Sequence, residues 1–143
     1  MNVEKLLGDK GHEVISVLPH RTLAEAIRTL SEKRIGAVVV MGSDGALVGI
    51  LSERDIIRAL GEHGATALES AVSRSMTSKV VTCRPQTSVD ELMEIMTTGR
   101  FRHVPVVENG RVTGIVSIGD VVKHRVAAIE AESKAMRDYI AMA

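Results

Sequence analysis

The chain has 143 residues, 45% of them hydrophobic and 25% charged, and 18 basic side chains balance 18 acidic ones. That length supports one well-formed core but not two large independent domains, while one Phe, one Tyr, no Trp and no basic stripe exclude stacking on, or tracking along, a nucleic acid. No apolar run approaches the roughly 18 residues of a membrane helix, the N-terminus lacks a signal-peptide pattern and the single Cys83 has no disulfide mate, so the expectation is a cytoplasmic protein with no membrane partner.

In chain order, residues 2–8 read as a short helix. Residues 14–17 form a short β-branched strand ended by Pro19. Thr22 to Glu25 has the spacing of a capping box, and Leu23, Ala26, Ile27 and Leu30 follow at helical spacing. Strands 35–41 and 46–51 then pair across a turn at Asp44-Gly45, which suits the positive φ a tight hairpin needs. A second helix starts at Ser52. Residues 61–78 are a Gly-, Ala- and Ser-rich linker with a short helix expected around Leu68–Val72.

The same unit is then written again. Val80-Val81-Thr82-Cys83-Arg84-Pro85 repeats Val14-Ile15-Ser16-Val17-Leu18-Pro19. Ser88 to Glu91 is the second capping box, and Val89, Leu92, Met93 and Met96 repeat the helical stripe. Strands 101–107 and 111–116 flank Asn109-Gly110, and a helix starts at Ser117. The copies drift by one residue, lost in this shorter turn. A duplicated unit of this size buries its apolar face against its copy, which predicts an α+β body of two β-α-β-β-α repeats with pseudo-twofold symmetry and two related clefts. The expected division is 1–65 for repeat 1 with the N-terminal helix, 66–125 for repeat 2 with the linker, and 126–143 for a C-terminal extension.

That extension carries helical pattern from about Val121 to Tyr139 without Gly or Pro. Val122, Val126, Ile129, Met136 and Ile140 keep heptad-like spacing, with Ser133 as the polar member. Such a helix reaches roughly 30 Å, farther than so small a body covers, so the stripe predicts a homodimer. The alternative is that it folds back on its own core.

Two matching segments carry the candidate chemistry: Gly49-x-x-Ser52-x-x-Asp55 and Gly114-x-x-Ser117-x-x-Asp120. Each lies where a hairpin strand becomes a helix N-terminus, whose free N–H groups and dipole favour an anion. A Ser hydroxyl there can meet a phosphate oxygen, and a carboxylate one turn on can accept from two sugar hydroxyls. Taken once, Ser-x-x-Asp is also an ordinary N-cap. Recurrence after a strand in both halves, with Asp where the other caps have Glu, favours a ligand.

Other candidates carry little. The five histidines and Cys83 lack metal-ligand spacing, so no metal is expected, and Cys83 reads as a core residue. Gly42, Gly45 and Gly49 fall in a hairpin and not between a strand and a helix, which is no dinucleotide fingerprint. A phosphate-binding GxxxxGK[ST] loop and a nucleophilic triad pattern are not apparent, so catalysis is not expected.

With these residues in view, the chain resembles a tandem pair of cystathionine-β-synthase (CBS) domains over about residues 3–125, close to the stand-alone bacterial CBS-pair proteins. Arg102-His103-Val104-Pro105-Val106-Val107 matches a familiar stretch of that family's second strand. The resemblance implies a regulatory module binding an adenosine derivative (AMP, ADP, ATP, NAD(H) or S-adenosylmethionine) between the repeats, and two pairs stacked into a disc. Carried over, it implies ribose hydroxyls on Asp55 and Asp120, phosphate near Ser52 and Ser117, and adenine packed by Ile50, Ile115, Val14 and Val80. It also places phosphate near Arg102 and His103. Repeat 1 has Gly36 and Ala37 at those two places, with Arg54 inside its Ser-x-x-Asp motif where repeat 2 has Gly119, so the clefts are not expected to be equal. The alternatives are a nucleotide-independent scaffold acting through the C-terminal helix and, less supported, an NAD-using enzyme.

Overall fold

The computed structural model describes residues 1–142. Helix α1 (Val3–Lys10) is capped by the Asn2 side chain, which accepts from the Lys5 N–H. Strand β1 (Ser16–Val17) runs parallel to β2 (Ala37–Met41), which pairs antiparallel with β3 (Leu47–Ser52). Between β1 and β2 lies α2 (Leu23–Lys33), and after β3 comes α3 (Glu53–His63). The second repeat supplies α4 (Val89–Gly99), the antiparallel pair β4 (His103–Glu108) and β5 (Arg111–Ser117), and α5 (Ile118–Met142). The expected α+β organisation of two repeats with a long final helix is what the chain adopts.

Turn chemistry follows the sequence closely. Gly45 sits at φ 82°, and Asn109 and Gly110 at 52° and 76°, the left-handed pair that a two-residue hairpin turn demands. Arg34 and Arg100 end α2 and α4 in the left-handed conformation at equivalent places.

Three local expectations need correction. The strand expected at 80–83 is reduced to one bridge, Cys83 with Val106. In repeat 1 the Val39 N–H donates to the Ile15 carbonyl at 3.4 Å. Its counterpart in repeat 2 is Pro105, which has no N–H, so only the bonds from Cys83 N–H to Pro105 (3.0 Å) and from Val107 N–H to Cys83 (2.9 Å) survive. Strand 14–17 is likewise trimmed to Ser16–Val17. The linker helix expected near Leu68–Val72 is instead two 3₁₀ turns, Gly64–Glu69 and Val72–Arg74.

The apolar core divides in two, and the division crosses the sequence order. Val3, Leu6 and Leu7 of α1 pack with Leu92, Met96, Val104, Val106 and Val116 of repeat 2. Ala67, Val72 and Met76 of the linker pack with Leu23, Leu30, Val38, Val40 and Leu51 of repeat 1. Backbone bonds mirror one another: Val3 N–H to Thr87 (2.9 Å) and Glu4 N–H to Pro85 (2.9 Å) match Val72 N–H to Arg21 (2.7 Å) and Ser73 N–H to Pro19 (3.0 Å). Each repeat is thus completed by the segment preceding the other, which ties the halves into one unit.

Candidate functional site

The two helix starts share one hydrogen-bond scheme. Asp55 Oδ2 accepts from the Ser52 N–H at 2.9 Å and hydroxyl at 3.1 Å, and Asp120 Oδ2 accepts from the Ser117 N–H at 2.8 Å and hydroxyl at 3.0 Å. Each serine oxygen accepts in return from the N–H of its aspartate at 3.3 Å. These are complete capping boxes. At Thr22 and Ser88, where the box was expected, the oxygen accepts from the N–H of Glu25 or Glu91, and the Thr22 hydroxyl donates to the Glu25 carboxylate. The capping function therefore belongs to all four positions and does not by itself single out a ligand site.

What separates Asp55 from Asp120 is the segment laid against each. On repeat 1 the linker makes an antiparallel bridge to Ile50, with Ile50 N–H to Thr77 at 3.0 Å and Thr77 N–H to Ile50 at 2.9 Å. The Thr77 hydroxyl donates to Asp55 Oδ1 at 3.2 Å, and Arg58 stands 3.6 Å from the same oxygen. Asp55 is 5% exposed, so both its oxygens are engaged and enclosed. On repeat 2 the same two acceptors, the Ile115 carbonyl and Asp120, meet the Lys10 ammonium at 2.8 and 2.7 Å. A backbone strand seals one place and a flexible side chain caps the other. Asp120 Oδ1 accepts no hydrogen bond from the described residues. Burial pushes the Asp120 carboxyl up, but the Lys10 and Ser117 hydrogen bonds outweigh it and hold the group below its ordinary range.

Beside Asp120 a cavity of about 320 Å³ opens between the repeats, at the small end of sites that hold drug-sized ligands. Repeat 1 lines it with Ile15, Arg34, Ile35, Gly36 and Ala37, repeat 2 with His103, Ile115 and Ser117, and the N-terminal segment with Lys10, Gly11 and Glu13. Gly36 fits closely there. A Cβ would lie 3.2 Å from Glu53 Oε1 and 3.3 Å from His103 Cε1, close enough that those side chains would have to shift by a few tenths of an ångström. His103 titrates below its ordinary 6.5, chiefly through burial and then through the nearby Lys10 charge, so it is neutral in the fold and offers one donor and one acceptor.

Of the residues named from the sequence, Gly36, His103, Ile115 and Ser117 line this cavity, with Asp120 tied to its wall through Lys10 and Ser117. Val14 is displaced by its neighbour Ile15, and Val80 does not contribute to the lining. Arg102 is exposed and absent from the lining. Arg54 is engaged elsewhere, its Nη1 donating to the Arg100 carbonyl at 2.9 Å across the repeats. Ile50, Ser52 and Asp55 lie beneath the linker bridge. Lys10, Ile15 and Arg34 were missed. For Lys10 no signal existed in the sequence, because its helix joins repeat 2 only through tertiary packing.

A second hollow of about 540 Å³ is an open groove along α2 and α3, lined by Ile27, Leu30, Ile35, Gly36, Ile56 and Ile57, with Ile57 70% exposed. Among the described residues no group of three or more His, Cys, Asp and Glu side chains could hold a metal ion, and no helix is long and apolar enough to cross a membrane.

The CBS domain model matches residues 10–62 and 70–127. The chain therefore belongs to the CBS-domain family and carries a tandem pair. It is similar to a CBS-domain containing protein of Agrobacterium tumefaciens, with 52% identity, a TM-score of 0.85, and coverage of 87% of this chain and 92% of that one. The CBS domain pair of protein MJ0100, solved with 5′-methylthioadenosine and S-adenosyl-L-methionine, is 26% identical with a TM-score of 0.81, covering 90% of this chain and 98% of that one. Among curated relatives, the mitochondrial CBS domain-containing protein CBSX3 of Arabidopsis thaliana is 36% identical over 123 residues, covering 83% of this chain. The chain spans 60% of that protein's length and 66% of the length of a 17.7 kDa relative from Acidianus ambivalens. No catalytic family is among these matches, and CBS pairs are regulatory modules.

Proposed function

We propose that this chain is a non-catalytic sensor that holds one adenine nucleotide (AMP, ADP, ATP or NAD(H)) in the cavity between its repeats, on the repeat 2 side. The observation that carries the reading is the inequality of the two aspartates. Asp120 binds the cavity-lining Lys10 and Ser117 through Oδ2 and has no described donor on Oδ1, whereas Asp55 is closed off by Thr77. In this reading the ribose hydroxyls donate to Asp120, and the base lies between Ile15 and Ile115. Lys10, with the N-terminus of α5, meets the phosphate. The ligands of the MJ0100 pair, both adenosine compounds, support the chemical class. The chain acts as a homodimer, which covers the exposed Ile57 on α3 and the exposed Val122 on α5.

Thermal shift across millimolar adenosine, AMP, ADP, ATP and NAD(H) tests the reading. A ligand bound only by the native state adds about 2.7 kcal/mol at a hundredfold excess over its Kd, so one compound should raise Tm by several degrees. A flat response to every adenine compound overturns the sensor and favours a scaffold acting through α5.

A further inference from the structure

Beyond the body, α5 is covered by nothing in its own chain. Val122, Val126, Ile129, Met136 and Ile140 are 53%, 48%, 58%, 59% and 65% exposed, and every residue from Arg125 to Met142 is exposed. The stripe therefore does not fold back. In heptad terms Val122, Ile129 and Met136 occupy d, and Val126, Ser133 and Ile140 occupy a. The polar member is accommodated, since Arg137 Nη1 donates to Ser133 Oγ at 3.1 Å. The Lys134–Asp138 pair at 3.2 Å lies on the opposite face, where it supports the single helix and leaves the seam clear.

The flanking charges select the occupant. Arg125 and Glu132 hold g positions, and Glu130 and Arg137 hold e positions. In a parallel pair each g residue faces the e residue five places on in the other helix. That sets Arg125 against Glu130 and Glu132 against Arg137 of a second copy, opposite charges in both cases. A fully overlapped antiparallel pair sets Glu130 against its own mate and Lys123 against Arg137, like charges in both cases. Sliding to relieve them strands apolar residues at the ends.

We infer that a second copy of this chain covers the stripe, with the two α5 helices paired in parallel and in register from Val122 to Ile140. The inference rests on the homodimer reading above and adds its orientation: because Val121 anchors α5 in the repeat 2 core, parallel tails bring the two second repeats side by side. A seam this short is marginal alone, and the bodies supply the effective concentration that closes it.

Cysteine cross-linking in the full chain tests the geometry. Val126→Cys, Ser133→Cys and Ile140→Cys are made singly and oxidised mildly, with the wild type, whose Cys83 is buried, as background. All three should form mostly covalent dimer. If light scattering finds a dimer while no site, or one site alone, cross-links, parallel pairing is overturned and the homodimer stands. A monomeric chain overturns both. Charge reversal gives an independent readout: Glu132→Lys should raise the dimer Kd about tenfold through two like-charge contacts, and adding Arg137→Glu should bring it back to within about threefold. A double variant as weak as the single one overturns the inference.

Discussion

Replacing each motif aspartate by asparagine separates a ligand group from a structural one. In Asp120→Asn the amide oxygen can keep the Ser117 N–H bond of 2.8 Å, so the cap is largely retained. The losses are the charge facing Lys10 and an anionic acceptor for a ribose hydroxyl. The Lys10–Asp120 contact is partly exposed at 36% and 21% of the two side chains, so its share of stability is at most about 1 kcal/mol. At this chain length that is a Tm drop of about 3–4 °C. The ligand bond is charge-assisted and worth about 1.5–3 kcal/mol, so adenylate affinity should fall about 10- to 150-fold. Asp55→Asn should do the reverse. Its carboxylate is buried and accepts from Ser52 and Thr77 on opposite oxygens. An NH₂ group placed toward the Thr77 hydroxyl forces that hydroxyl to turn and accept, and removes the counter-charge of Arg58. Breaking such a buried arrangement costs about 1–3 kcal/mol, read as a Tm drop of up to about 10 °C. Affinity measured well below Tm should stay within about threefold of wild type. Calorimetry with the compound that wins the thermal-shift screen, beside melts of the free proteins, decides the matter. Equal affinity losses in the two variants, or a larger loss in Asp55→Asn, would refute the assignment of the ligand to the repeat 2 side.

Lys10→Met removes the ammonium at the cavity wall, so AMP should weaken about fivefold more than adenosine, and equal losses in calorimetry would take Lys10 out of the phosphate role. His103 is held neutral in the fold while the unfolded chain protonates it near 6.5, so the unfolded state binds more protons as pH falls. Stability should therefore be level above about pH 7.5 and decline as pH drops through 6.5. His103→Gln should flatten that decline in urea titrations, and an unchanged slope would show that the ring is not kept neutral by its surroundings.

The sequence alone determined the parts of this protein that depend on neighbours in the chain. The duplication, the caps at Thr22, Ser52, Ser88 and Ser117, the turns at Gly45 and Asn109-Gly110 and the heptad run of α5 are all local, set by a few residues' own torsions and hydrogen bonds. So was Ser117, which the repeated strand-to-helix junction places by its own geometry, whereas Ile115 and His103 were expected from the resemblance to CBS pairs. Tertiary structure decided the rest. Pro105 deprives repeat 2 of a ladder donor only because it meets a strand from elsewhere in the chain. Val14 and Ile15 both precede the short strand Ser16–Val17, and which of them lines the cavity is settled by how that segment lies against the other repeat. The two aspartates are equal in sequence and unequal in the fold, because Thr77 closes one and Lys10 reaches the other from α1, which packs on the repeat it does not precede. Spacing along the chain encodes local torsions, whereas the segment that lies across each cleft is settled by which apolar face finds which core.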